Sequence, residues 1–367
     1  FYKNNVDGKG ASYGSHENYQ YSRDTDFDDI AQGLIPFFVA RQVVTGAGRV
    51  GLGADGEEPG FQISQRADYI EQAISLETTL NRGIINTRDE PHAVAEDFGR
   101  LHVIIGDATM SHTSTLLKLG MTSLVLDAIE SGVDFSDLRL AEPVEEVQRV
   151  SRDLTVTHKL ALRDGRHLTA LDILAFYRER VTATTEADEK VLAAWDEVVA
   201  LLADNPLKAA HLLDWVAKYR LIKGYLDRGV AADDPKLALI DLQYTDIDPA
   251  KSLYHALVRK GQMRTLVSEE EIAAAAETPP SDTRAYLRGH ATRKFGEDVL
   301  AASWQSLTFR IGEAEGANSG TACVALDDTT RLGQDEVGAL LESAGSAADF
   351  VDSLRQLGVR IEYPTLY

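Results

Sequence analysis

The chain has 367 residues, 44% of them hydrophobic and 26% charged, with a net charge of −21. That balance belongs to a globular protein with room for one to three domains, and its negative charge argues against general nucleic-acid binding because phosphates are repelled. The single cysteine, Cys323, excludes an internal disulfide and points to a reducing, cytoplasmic setting. No apolar run approaches the roughly 20 residues of a membrane helix, and no signal peptide is visible.

Residues 1–24 are polar and glycine-rich with aromatics interleaved. They read as a strand, a tight loop at Asp7-Gly8-Lys9-Gly10, and a second strand carrying His16, Glu17 and Asn18. The chain opens on this dense motif without an initiator Met, which suggests a fragment or the loss of upstream residues. Ile30, Leu34, Phe37, Phe38 and Val44 predict a helix over 27–45, against the presence of Pro36 within it. Six glycines over 46–60 predict a flexible loop, hinge or lid. A phosphate loop is disfavoured there, since neither GxxxxGK[ST] nor GxGxxG occurs.

Residues 84–88 read as a short strand with a polar end. Over 100–107 the alternation is clean, Leu101, Val103 and Ile105 on one face and Arg100, His102 and Ile104 on the other. A helix follows over 111–132, and further helices are predicted over 168–181, 186–204 and 206–226. After a break at 277–280 comes a basic island with Arg284, Arg288, His290, Arg293 and Lys294. A strand over 300–310, a Gly/Ala/Glu/Asn linker and two short helices within 335–357 complete the chain. Strands with polar ends separated by helices predict an α+β fold around an antiparallel sheet.

Two strand faces carry candidate chemistry. His16 and Asn18 share a face that Glu17 does not, and Arg100 shares one with His102. A histidine beside an asparagine or an arginine suits a metal–nucleotide complex: the ring binds the cation, while the amide and the fork meet phosphate or ribose oxygens. Hydrogen-bonded structural histidines and a solvated strand face fit the same patterns. Mg²⁺ prefers oxygen, so carboxylates must lie nearby. Arg66, Arg88, Arg284, Arg288 and Arg293 are scattered cations that together suit carboxylate or phosphate recognition; each alone is an ordinary surface charge. His92 follows Pro91 and suits a turn cap. No GxSxG, HExxH or paired CxxC is present, which leaves no support for a serine hydrolase, a zincin or a structural zinc site.

Taken in order, these motifs resemble one family, the Pup ligases and depupylases. The resemblance rests on YKNNVDGKGASYGSHENY (residues 2–19), Arg41-Gln42 with Thr45-Gly46-Ala47-Gly48, FQISQRADY (61–69), INTRDEPH (85–92), RLHVIIGD (100–107), LDWVAKYRLI, DLQYTDI, TRAYLRG and AASWQS. It covers nearly the whole chain. The loop Asp7-Gly8-Lys9-Gly10-Ala11-Ser12 and His290 after Leu-Arg-Gly side with the depupylase branch.

The resemblance implies a glutamine-synthetase-like curved antiparallel sheet with packed helices and a small C-terminal helical domain. Its boundaries would be 1–310 for the catalytic domain, 311–332 for a linker and 333–367 for the small domain. It implies hydrolysis of the isopeptide bond between the C-terminal glutamate of Pup and substrate lysines, and deamidation of a C-terminal glutamine of Pup. ATP and Mg²⁺ would be cofactors, and Pup and pupylated proteins the partners. By motif, His16 and His102 fall at the metal, Asn18, Arg100, Arg288 and Trp304 at the nucleotide, and Arg66 and Arg88 at phosphate or the Pup glutamate. The family's metal-binding glutamates and catalytic aspartate would precede Tyr2. The sister ligase and a truncated, non-catalytic binder of Pup or nucleotide are the alternatives.

Overall fold

The computed structural model describes residues 1–7, 9–312 and 320–364. The chain divides into two compact units, Phe1–Asp89 with Gly99–Leu266, and Glu90–Phe98 with Val267–Tyr367.

The first unit opens with β1 (Glu17–Ser22), α1 (Phe27–Thr45), β2 (Arg49–Leu52), β3 (Glu58–Gln62), β4 (Gln72–Ser75), β5 (Gly83–Asn86) and β6 (Phe98–Val103). It continues with α2 (His112–Glu130), α3 (Pro143–Arg152), β7 (Lys159–Ala161), β8 (His167–Thr169), α4 (Ala170–Arg180), α5 (Glu186–Asp204), α6 (Asp214–Leu226), α7 (Pro235–Tyr244) and α8 (Leu253–Arg259). The main sheet has the order β1-β6-β5-β4. β5 and β6 are antiparallel, as expected, whereas β4 joins β5 in parallel.

Helix α1 is the spine of this unit. Asp26 caps it by accepting from the Asp28 amide at 2.8 Å. Every residue from Leu34 to Thr45 is buried. A helix apolar all round belongs in a core, and α1 packs against α2, α3 and α4. The helix runs through Pro36, and the Tyr177 hydroxyl donates to the Gly33 carbonyl one turn earlier, at 2.6 Å.

Several expectations change at this level. The glycine-rich segment 46–60 is an ordered antiparallel hairpin, β2–β3, with Val50 opposite Phe61. Its glycines supply the turn geometry, with positive φ at Gly51, Gly53 and Gly56. The buried Arg49 guanidinium ties the turn down by donating to the Gly53 and Ala54 carbonyls at 2.9 and 3.0 Å. The predicted helix over 206–226 is a 3₁₀ turn, Pro206–His211, followed by α6. The break at Leu213 frees the Asp214 carboxylate to accept from the Met110 and Ser111 amides at the start of α2. The predicted strand over 300–310 is a hairpin turning at Ser303, Trp304 and Gln305.

That hairpin belongs to the second unit, which contains α9 (Glu269–Glu277), α10 (Arg284–Lys294), β9 (Val299–Ala302), β10 (Ser306–Arg310), β11 (Thr321–Ala325), α11 (Gln334–Ser343), α12 (Ala347–Gln356) and β12 (Ile361–Glu362). Its sheet has the order β12-β11-β10-β9, over a core including Leu287, Phe309, Val324, Val337 and Phe350. The C-terminal body is therefore a mixed α/β unit reaching back to Val267, rather than a helical domain beginning at 333. Of the predicted linker 311–332, residues 313–319 lie outside the described residues, and Thr321–Ala325 is a central strand paired with β10. The two short helices expected within 335–357 are α11 and α12. Among the described residues, no helix is long and apolar enough to cross a membrane.

Candidate functional site

The site is built from the inside of the first unit outward. Glu17 turns into the core, where Arg41 of α1 donates to Oε2 at 2.8 Å and to Oε1 at 2.9 Å. The same guanidinium donates to Thr122 Oγ1 at 2.6 Å and to the Lys118 carbonyl at 2.8 Å, and the Tyr19 hydroxyl donates to Glu17 Oε2 at 2.5 Å. Glu17 and Arg41 are both almost fully buried, and their bidentate pairing with satisfied neighbours is what makes two buried charges tolerable. A Cβ at Gly106 would stand 2.2 Å from Glu17 Oε1, so only glycine leaves room for the carboxylate.

Strand alternation then turns His16 and Asn18 the other way. β6 lies beside β1 in the sheet and presents Arg100 and His102 to them. Arg100 Nη1 donates to Asn18 Oδ1 at 3.2 Å. His102 Nε2 stands 3.0 Å from His16 Nδ1, with ring centroids 4.9 Å apart. His102 is buried, and His16 lies at the exposed rim. The pairs expected on each strand thus face one another across two strands.

Arg66 is fully buried, yet its hydrogen-bond partners are neutral: Nε and Nη2 donate to the Ile104 carbonyl at 3.3 Å, and Nη1 donates to Ser12 Oγ. The nearby Asp107 carboxylate is already engaged, accepting from the Ala47 and Gln65 amides and from Ser64 Oγ. Burial, with Arg82 nearby, pulls the Arg66 guanidinium down to about 10, so it remains a cation at neutral pH. Burial and the charges of Arg66 and then Arg100 hold the His16 imidazole below its ordinary range. Arg66, Arg82 and Arg100 thus bring positive charge together on one face of a chain of net charge −21.

Arg88 is exposed, and its backbone amide donates to Asn86 Oδ1 at 3.0 Å. The neighbouring Asp89 accepts from the Arg100 amide at 3.0 Å and pairs with Arg23 at 2.5 Å, fixing the start of β6. Asn86, Ser12 and Lys118 escaped the sequence reading. Lys118 Nζ reaches from α2 to the Asp107 carbonyl at 3.0 Å and to Ser15 Oγ at 3.4 Å, beside His16. Their signal lay in the quoted motifs for Ser12 and Asn86, and for Lys118 in a lysine set between the buried Leu117 and Met121 on the inner face of α2.

The residues present do not make a protein-held Mg²⁺ site. His16 and His102 offer two nitrogens, the adjacent Glu17 is consumed by Arg41, and among the described residues no group of three or more His, Cys, Asp or Glu side chains gathers to hold a metal. Mg²⁺ demands near-octahedral oxygen coordination.

The other candidates lie in the second unit. Trp304 is exposed at the β9–β10 turn, with the Arg288 guanidinium 5.1 Å from its ring centroid and the His92 ring 6.3 Å away. Arg284 is structural: it donates to the His92 and Leu326 carbonyls, both at 2.6 Å. Arg293 donates to the Glu277 carbonyl, and the His290 ring packs 4.3 Å from Tyr286.

The chain as a whole has clear counterparts. Residues 1–308 match the family described as Pup-ligase protein, and the chain belongs to that family. It is 52% identical over 362 residues to the Pup deamidase/depupylase of Mycolicibacterium smegmatis, spanning 96% of this chain and 71% of that one. It superposes on the Pup ligase PafA in complex with ADP with a TM-score of 0.78 at 34% identity, covering 93% of this chain and 76% of that one. Against the complex of the prokaryotic ubiquitin-like protein Pup with its ligase PafA the TM-score is 0.79 at 34% identity, covering 97% and 74%. The fold is accordingly the glutamine-synthetase-like α+β class expected from the motifs.

Proposed function

We propose that this chain is a depupylase, hydrolysing the isopeptide bond between the C-terminal glutamate of Pup and substrate lysines and deamidating a C-terminal glutamine of Pup. The observation that carries this reading is the contrast in likeness, 52% identity to a Pup deamidase/depupylase over 96% of the chain against 40% to a Pup–protein ligase of Paenarthrobacter aurescens over 94%. The electrostatics support it. Pup's scissile end carries carboxylates, and the buried, carboxylate-free Arg66 and the exposed Arg88 suit a carboxylate or a phosphate.

A nucleotide bound as cofactor fits the same face. In this reading Arg100 and Asn18 take phosphate or ribose oxygens. Within the second unit taken by itself, the Trp304–Arg288 pair is a platform suited to stacking an aromatic ring. ATP would bring Mg²⁺ with it: the phosphates and water supply the oxygens that His16 and His102 lack, and the outer edge of the His16 ring would face the ion from the protein side. The lone cysteine suits a cytoplasmic setting.

The test uses the protein in its natural full length with a Pup-tagged substrate, ATP and Mg²⁺. Free Pup should appear without proportionate ATP consumption. Net conjugation of Pup to lysines with stoichiometric ATP use would make the protein a ligase, and nucleotide or Pup binding without turnover a non-catalytic relative.

A further inference from the structure

We propose that Asn86 is a positioning residue that fixes the tautomer of the His102–His16 couple, so that both rings carry their proton on Nδ1 and the couple offers His16 Nε2 as its unused lone pair. The role rests on the same site as the proposed function, but the tautomer is a property of the chain that can be read without turnover.

The Asn86 amide has a determined orientation. It sits at the end of β5, fully buried. Its Nδ2 donates to the Glu77 carbonyl at 3.0 Å, which only a nitrogen can do. Its Oδ1 accepts from the Arg88 amide at 3.0 Å, which only an oxygen can do. Two backbone groups on opposite sides of the amide therefore decide between oxygen and nitrogen, a choice usually left to inference.

The same Oδ1 has a second lone pair, 3.3 Å from His102 Nδ1. An acceptor facing a ring nitrogen requires that nitrogen to carry the hydrogen. Neutral His102 is then the Nδ1–H form, with a bare Nε2. That Nε2 stands 3.0 Å from His16 Nδ1, so His16 must bring the proton to this contact and is itself Nδ1–H. The information passes from one amide through two rings. At the far end, a Cβ on residue 14 would stand 2.2 Å from His16 Nε2, so Gly14 keeps a side chain off the edge that carries the free lone pair. Partners of this kind, which set which nitrogen of a histidine is available, are a general means of tuning a site that meets a cation or a proton donor.

The experiment is long-range ¹H–¹⁵N correlation spectroscopy of the full-length protein with ¹⁵N-labelled histidine. It is run without metal or nucleotide at about pH 8.5, where an ordinary imidazole is neutral. In the wild type, His102 and His16 should both show the Nδ1–H pattern. In Asn86→Ala both should move together to the Nε2–H form that a free imidazole side chain prefers. Asn86→Asp keeps an oxygen acceptor and should retain Nδ1–H in both rings. A wild-type His102 protonated on Nε2 would overturn the proposal with no variant needed, and so would an Asn86→Ala protein whose two rings keep the wild-type pattern. Retained tautomers in a protein that fails to release Pup would count against the depupylase reading while leaving this one standing.

Discussion

Arg41 grips both carboxylate oxygens of Glu17, at 2.8 and 2.9 Å, from inside the core. This pairing aims the site, because the residues on either side of Glu17 are His16, just before β1, and Asn18. Arg41→Met leaves a buried carboxylate without its cation and should cost about 3–5 kcal/mol. Gly106→Ala drives a methyl into the same carboxylate and should cost about 1–3 kcal/mol. Gly224→Ala, where nothing lies within 4 Å, should instead stabilise by about 0.5–1 kcal/mol. Denaturant unfolding measures all three; an Arg41→Met protein as stable as the wild type would mean that the pair does not form.

Arg100 and His102 project from one face of β6 towards Asn18 and His16. On the proposed reading that Arg100 takes a phosphate of the nucleotide, Arg100→Ala should remove a charge-assisted contact worth about 1.5–3 kcal/mol, a loss of about tenfold or more in affinity for nucleotide. Calorimetric titration of the full-length protein with a non-hydrolysable ATP analogue checks this. Unchanged affinity in both Arg100→Ala and His102→Ala would put the nucleotide elsewhere.

The Arg88 side chain is exposed while its amide is held by Asn86. An exposed arginine whose backbone amide is anchored suits the positioning of a flexible substrate's terminal carboxylate more than the supply of bulk affinity. Arg88→Ala should therefore impair cleavage of a fluorescent Pup conjugate more than it weakens binding measured by polarisation. Wild-type cleavage, or complete loss of binding, would remove Arg88 from this role.

Away from the site, Asp137 accepts from Arg180 at 2.7 and 2.9 Å. The hydrogen bonds from Arg180 hold its carboxyl below the usual 3.8. A carboxyl depressed in the folded state binds fewer protons there than in the unfolded chain, so its contribution is complete above the unfolded value and is lost as pH falls through the folded one. Arg180→Ala should be less stable than the wild type near neutrality, with the difference shrinking below about pH 4. Thermal unfolding midpoints across that range test the sign, and a gap that widens in acid would reverse it.

What could be read from the sequence was whatever depends on local periodicity. The alternation over 100–105 separates Arg100 and His102 from Leu101 and Val103, and the burial of Glu17 opposite His16 and Asn18 follows from the two-residue period of a strand. The hairpin over 46–60 could not be read this way, because its order comes from the Arg49 side chain bonding two turn carbonyls rather than from an apolar pattern. The strand at Thr321–Ala325 is recognisable only through its partner β10, on the far side of the linker-like composition. Asn86 acts through the Glu77 carbonyl and the Arg88 amide, contacts that no spacing rule announces. Several motif residues proved to be structural: Trp215 Nε1 donates to the Val43 carbonyl at 2.8 Å, Lys218 pairs with Asp241 at 2.6 Å, and Asp214 caps α2.

The ties between the chain's opening segment and its middle bear on how the protein is made. The Lys3 amide bonds to the Thr245 carbonyl and Tyr2 bridges to Asp246, while α2, which carries Lys118 beneath Ser15, starts on the carboxylate of Asp214. Roughly 240 residues separate the two ends of that first link, and at about 5–20 residues per second a ribosome needs on the order of 10–50 s to supply them. During that interval Tyr2 and Lys3 have emerged without their partners, while Arg41, β6 and Lys118, which hold Glu17, His16, Asn18 and Ser15, follow within the first 130 residues. The ties of Tyr2 and Lys3 are consequently among the last contacts of the first unit to form on a nascent chain, and ribosome stalling before Asp246 would leave a product with its histidines placed but its opening segment unanchored.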